Sequence, residues 1–301
     1  MPRTFFGPYN TQYEDFAEPA GGNTGPRPLG TYLILPDGRK FRFALNDGTV
    51  EVAGSLYQSI APVGNHTDQN TDVAREIGAT SVSATLGATS AAADIYSEGV
   101  VHVNDATGVG YAWRIARAIQ NAQAHAAVAG SGVLTVALEA GEQVQVALAA
   151  TTSQLTFTRN RFHQILIAPT TLTGSLAGVS PGVAAINRYY WSQVGGEAAV
   201  LTDKVIFTGQ MVQASNNTAG SVESAKTNVR TGATAPGDSV ALGANPLDSS
   251  GSESAITLIN TVSNATYDIS GPASIRGALV GIAKVVNISG EHALIDLTFL
   301  D

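Results

Sequence analysis

Short apolar runs, each stopped by glycine, proline or an Asn-Asp-Gly type of turn, recur through almost the whole chain. The first set is the clearest. Residues 31–35 are rich in β-formers, Pro36-Asp37-Gly38 is a turn, and 39–45 alternates with Phe41 and Phe43 on one face. Asn46-Asp47-Gly48 is a second turn, followed by 49–53. Asp-Gly pairs between alternating runs favour tight hairpins, so this stretch predicts a three-stranded meander. The same reading places strands at 80–86, 99–103 and 110 to about 119, with Tyr111, Trp113 and Ile115 sharing a face of the last. Further strands are expected at 133–138, 143–148, 154–158, 164–168, 188–194 and 198–202. An apolar run within 205–214 and strands at 255–261, 279–286 and 293–299 finish the chain. Helical periodicity is nearly absent; one helical turn is expected, at 72–77, ending at Gly78. About fifteen short strands predict a mainly β fold, with β-sandwich or barrel-like domains of short antiparallel strands and little helix.

Residues 1–30 differ from the rest. Phe5, Phe6, Tyr9, Tyr13 and Phe16 are interleaved with Pro2, Pro8, Pro19, Pro26 and Pro28. The prolines preclude a regular helix or a central strand, so an extended N-terminal arm is expected. Such a segment gains order by lying in a groove, on its own body or on a neighbouring subunit. The five aromatics are therefore candidate partner-binding residues. The chain divides, on this reading, into the arm at 1–30, a β domain at 31–175 and a second β domain with long polar loops at 176–301. The break is placed near 170–182 by the Pro, Gly, Ser and Thr content there.

Charge and cysteine content exclude several function classes. Sixteen cationic residues, only four of them lysines, face 24 acidic ones for a net charge of −8. Neutralising phosphates requires clustered Lys and Arg, so direct nucleic-acid binding is not expected. Arg39–Lys40–Arg42, Arg114–Arg117 and Arg159–Arg161 read as alternating or turn-flanking surface charge. With no cysteine, thiolate metal sites and thiol catalysis are out. No stretch approaches the apolar length of a membrane span, and the N-terminus lacks a signal-peptide run. His66, His102, His125, His163 and His292 are scattered without ligand spacing and read as surface or satisfied core residues. Asp68, Asn70 and Asp72 alternate as in a calcium loop, but Val73 and Ala79 stand where an EF-hand needs Gly and Glu. Neither a nucleophile elbow nor a phosphate loop is present. No catalytic residue, cofactor or metal is expected.

Three blocks carry a family resemblance. The first is Ala79-Thr-Ser-Val-Ser-Ala-Thr-Leu-Gly87, with Tyr96, Gly99, Val103, Asp105, Gly108, Gly110, Tyr111 and Ile115 after it. The second is Tyr189-Tyr-Trp-Ser-Gln-Val-Gly-Gly196. Both resemble patterns in virion structural proteins of tailed bacteriophages. The third, Val280-Gly281-Ile282-Ala283 with Ser289-Gly290 and Ala293-Leu294-Ile295-Asp296-Leu297, resembles the last β-hairpin of head decoration, or cement, proteins. The resemblance implies a non-enzymatic protein that binds the outer surface of the capsid as a homotrimer. Its partners would be the major capsid protein and its own copies, and it would tie neighbouring capsomers together. The alternative is a tail-fibre or receptor-binding module for host glycans, with Asp94–Tyr96–Glu98 and Tyr267–Asp268 as candidate sugar contacts. Trp113 and Trp191 are expected in the core.

Overall fold

In a computed structural model, residues 4–17, 25–118, 124–225, 256–259, 266–269, 278–285 and 290–298 are described. The chain begins with β1 (Thr4–Phe6), a 3₁₀ turn (Tyr9–Tyr13), β2 (Phe16–Ala17), β3 (Tyr32–Ile34), β4 (Lys40–Leu45) and β5 (Leu56–Gln58). It then enters a second unit of β6 (Gln69–Asn70), β7 (Ser81–Thr85), β8 (Val100–Asp105), β9 (Ala112–Arg114), β10 (Val133–Ala137) and β11 (Gln154–Thr158). It returns to the first unit through β12 (Leu166–Ile167), β13 (Leu176–Val179), β14 (Arg188–Leu201), β15 (Met211–Ala214) and β16 (Val222–Ser224). β17 (Ile256–Ile259) and β18 (Thr266–Ile269) form a separate antiparallel pair, and β19 (Leu279–Ala283) and β20 (His292–Leu297) follow. The mainly β expectation is met.

The body is organised by β14, which is 14 residues long. Its first half pairs with β4, from Tyr189 opposite Leu45 to Gly195 opposite Lys40. Its second half pairs with β20, from Gly196 opposite Leu297 to Leu201 opposite His292. The register slips between Gln193 and Gly195, and Gly196 takes φ 78 where a Cβ would meet Arg39 atoms at 3.0 Å. A bulge followed by a left-handed glycine re-aims a strand without ending it. One strand thus serves two sheets, where two separate strands were expected. The main path runs β1-β3-β4-β14-β20-β19-β15-β16. Alternation on these strands buries Phe41, Phe43, Tyr189 and Trp191, with Phe43 stacked on Tyr189 at 5.5 Å and edge-on to Trp191 at 5.1 Å. Such ring pairs each add about 0.5–1.5 kcal/mol beyond area burial.

The second unit is a small closed barrel. β6 lies beside β11, β11 beside β8 and β8 beside β9, all antiparallel, while β10 pairs with β7. Bridges between Ile115 and Leu138 and between Thr71 and Ala84 join the two pieces at both edges. Hydrogen bonds of 2.9 Å from the Ala116 amide to the Ala137 carbonyl and from the Glu139 amide to the Arg114 carbonyl continue the first join. Closure removes exposed strand edges. The interior is filled by Val82, Val101, Trp113, Ile115, Leu134 and Phe157. Both tryptophans are core residues, as expected.

Two hydrophobic cores result, and the expected break near 170–182 does not separate them. One is built from 29–57 together with 162–297, the other from 82–157. The barrel is an insertion between β5 and β12, which are themselves antiparallel neighbours, Gln58 opposite Leu166. The Gly/Ser/Thr-rich stretch instead contributes β13, which pairs with β5 and β14 inside the body. Three local expectations also change. Residues 49–53 form no strand, the helical turn at 72–77 is absent, and 143–148 is not a regular strand. Arg75 and Leu148 exchange backbone hydrogen bonds of 3.0 and 2.8 Å, and the Gly78 amide donates to the Val144 carbonyl at 2.7 Å. Tertiary partners thus take the bonds a local helix would have used. A fourth, the strand expected from 110 to about 119, is confined to Ala112–Arg114, with a single bridge at Ile115 and no strand at 116–118. The Ala116 and Glu139 amides bond across to the other piece of the barrel rather than extending a ladder. Of the polar loops expected at 215–254, residues 226–254 lie outside the described residues.

Candidate interaction surface and junction cleft

The arm, over 4–17, lies on its own body. β1 pairs parallel with β3, and β2 pairs antiparallel with the start of β14. Proline spacing leaves room only for these short edge strands and one 3₁₀ turn. Phe5 and Phe16 are partly buried against the core. The Arg27 guanidinium sits 4.7 Å from the Phe5 ring centre, and Phe16 packs 6.0 Å from Phe43. Gln12, buried, accepts a hydrogen bond from Arg39 at 2.8 Å. Of the five candidate aromatics, these two are therefore anchors to the chain's own sheet. The other three face outward: Phe6 is 75% exposed, Tyr13 64% and Tyr9 52%.

The outward face extends beyond the arm. Tyr13 lies near Gly182, beside exposed Val183. Val50 and Val52 are exposed on a segment whose Glu51 amide donates to the Ala184 carbonyl at 2.8 Å, and Ile186 is exposed nearby. Contiguous large apolar residues on a surface mark contact sites more often than scattered ones do. The outer edge of β1 has no strand against it among the described residues.

Between Val50 and Val52, the Glu51 side chain turns inward and is 1% exposed. Tyr57 and Tyr190 hydroxyls lie beside its carboxyl, yet neither carboxyl oxygen completes a hydrogen bond. Burial pushes its pKa up to about 8, and the tyrosines only partly oppose this. His163 is also buried with both ring nitrogens unpartnered, and burial, then the nearby Arg159 charge, pushes it down to about 3.

The other sequence candidates are structural. Asp94, Tyr96 and Glu98 are all buried, so they are not an exposed sugar platform. Glu98 instead accepts the Leu29 amide at 2.8 Å and pairs with Arg117 at 3.1 Å, fastening barrel to body. Burial raises its pKa, while that amide and the arginine pull it back. Arg114 donates to the Glu98 carbonyl at 3.2 Å. Arg42 lies over the Tyr32 ring at 3.3 Å. Arg42 and Arg117 are thus half-buried and spent on folding, whereas Arg114 remains an exposed surface charge, as expected. Tyr267–Asp268 lie in β18, whose side chains fall outside the described residues.

Two histidines separated in sequence meet at one ring. His66 Nδ1 is hydrogen-bonded to the Tyr96 hydroxyl, and the Tyr96 amide donates to His125 Nε2 at 3.0 Å. Both are satisfied core residues. In the calcium-like loop the oxygens diverge: Asp68 accepts from Asn104, Asp72 from Ser83, and Asn70 from Gln154 at 3.4 Å. Among the described residues no group of three His, Asp or Glu could hold a metal ion, and no helix is long and apolar enough to cross a membrane.

One cleft of about 410 Å³ opens at the junction of the cores, walled by the outgoing crossing 59–63, the returning crossing 158–161 and the loop 172–175. Tyr96 and Phe157 form its barrel side. Arg159 and Arg161 line it, although their sequence pattern suggested ordinary turn-flanking charge. The only local signal was an Arg-Asn-Arg triplet placed directly after a strand. Compared with protein-family models, curated proteins and solved structures, the chain matches none.

Proposed function

We propose that the chain is a virion structural protein of a tailed bacteriophage, a capsid decoration protein that acts without catalysis. It binds the outer surface of the head as a homotrimer and links neighbouring capsomers of the major capsid protein. The observation that carries this reading is the arm: three large aromatics are held outward on a segment whose other two aromatics are locked to the sheet. An ordered arm presents its rings with little entropy left to lose on docking. Tyr and Phe are favoured at interface centres, and the open β1 edge offers backbone groups for strand addition. Three such arms on a trimer add their weak contacts through effective concentration. A mainly β body without cysteine suits a particle whose parts are never renewed.

The test keeps the fold intact. Deleting the arm would strip Phe5 and Phe16 from the core, so Phe6→Ser, Tyr9→Ser and Tyr13→Ser are combined instead. Wild-type protein is expected to saturate expanded empty capsids of the parent phage and to ignore host cells. The triple variant, with an unchanged circular-dichroism spectrum, should lose most of its occupancy. Host-cell binding with bare capsids would favour the receptor-binding alternative, and full occupancy by the triple variant would remove the arm as the anchor.

A further inference from the structure

We infer that the junction cleft is a binding site for a small molecule bearing an oxyanion, either a carboxylate or a phosphate, on a small ring. This goes beyond the decoration reading and does not depend on it. The cleft is within the size range of small-ligand sites and sits where such sites form, between two packed units. Its lining contains two arginines and no Asp or Glu, in a chain whose acidic residues outnumber its basic ones 24 to 16. Anion recognition is the chemistry this local excess serves.

The donors are preorganised. Arg159 is held by a 2.9 Å hydrogen bond from Nη1 to the Gln164 side chain and makes no ion pair among the described residues. Its Nε is buried without a partner. Arg161 is clamped through its guanidinium to the Leu176 carbonyl. The loop opposite is fixed by fully buried Gln58, whose amide donates to the Thr173 hydroxyl at 2.8 Å and accepts the Thr173 and Gly174 amides at 3.2 and 3.3 Å. Ser59 Oγ accepts the Ser175 amide at 3.0 Å. A Cβ on Gly174 would stand 2.2 Å from the Ser59 carbonyl oxygen, so only glycine permits this approach. The Thr173 and Ser59 hydroxyls accept in these bonds, leaving their protons to donate into the cleft. A guanidinium and two hydroxyl donors, with Leu172 and Phe157 as apolar walls, suit an oxyanion on a small ring.

Calorimetric titration at low salt with glucuronate, glucose 6-phosphate and glucose tests this. At least one of the two anions is expected to bind and glucose is not; which anion binds assigns the charged group. Arg159→Gln should weaken the binding about tenfold or more. Ser175→Trp, a change at an exposed rim position, should block it while leaving the cores untouched. Lys284→Gln, remote and exposed, should leave affinity unchanged. Failure of both anions to bind, equal binding of glucose, or full affinity in Ser175→Trp would overturn the inference.

Discussion

Glu51→Gln should change how stability responds to pH, because the native carboxyl is held neutral where the unfolded one is charged. Its pKa rises from 4.5 to about 8 on folding. A raised carboxyl pKa contributes stability that is fully present below pH 4.5 and is lost as pH climbs through 8. The slope over that window is about 1.4 kcal/mol per pH unit. At pH 7 the wild type has lost about 3 kcal/mol relative to pH 4.5 from this group alone. His163 acts in the opposite sense. Its pKa falls from 6.5 to about 3, so its contribution is present above pH 6.5 and lost as pH drops through 3. Between pH 4.5 and 6.5 the two slopes cancel, giving a plateau with a falling limb on each side. Glutamine stays neutral throughout and keeps the side-chain size. The variant should therefore lack the alkaline limb and match or exceed wild-type stability above pH 7, with a constant offset from its buried amide. Urea unfolding at half-unit steps from pH 5 to 8.5 measures this, since the difference curve cancels every other titrating group. Parallel curves for the two proteins would mean that Glu51 is ionised in the native state, and the argument from its unpartnered burial would fail.

Other expectations follow from packing. Trp113→Ala should cost about 3–5 kcal/mol and lower amide protection across the barrel, read by hydrogen exchange; unchanged protection would contradict the closed circuit. Glu98→Ala removes the acceptor of the Leu29 amide and the partner of Arg117, and should cost about 3 kcal/mol by urea midpoint. Gly196→Ala, at a left-handed position against Arg39, should cost about 1–2 kcal/mol, whereas a neutral result would mean that β14 does not bend there.

Strands with ordinary alternation were legible. The run 154–158 coincides with β11, and Phe41 and Phe43 share a buried face, because apolar residues at every second position face the core. Residues 49–53 mislead for a physical reason: the alternation is inverted, with Val50 and Val52 outward and Glu51 inward. Gly195-Gly196 looked like a strand end and is a bend, since glycine permits both and only the partners β4 and β20 decide. The insertion was invisible because it depends on Ile115 meeting Leu138 and Thr71 meeting Ala84, pairings no local pattern encodes. Arg159 and Arg161 were hidden likewise, as their setting is completed by the crossing 59–63, distant in sequence. The arm aromatics were visible as a group, but which of them point inward depends on the registers of β1 against β3 and of β2 against β14.

The point where the chain leaves the body and the point where it comes back are rungs of one ladder, Gln58 facing Leu166. The barrel is therefore spliced in like a cassette: a few turn residues would close the gap, and a guest domain with close-set ends would fit the same socket. Descendants of this sequence can exchange the module while inheriting an uncut frame.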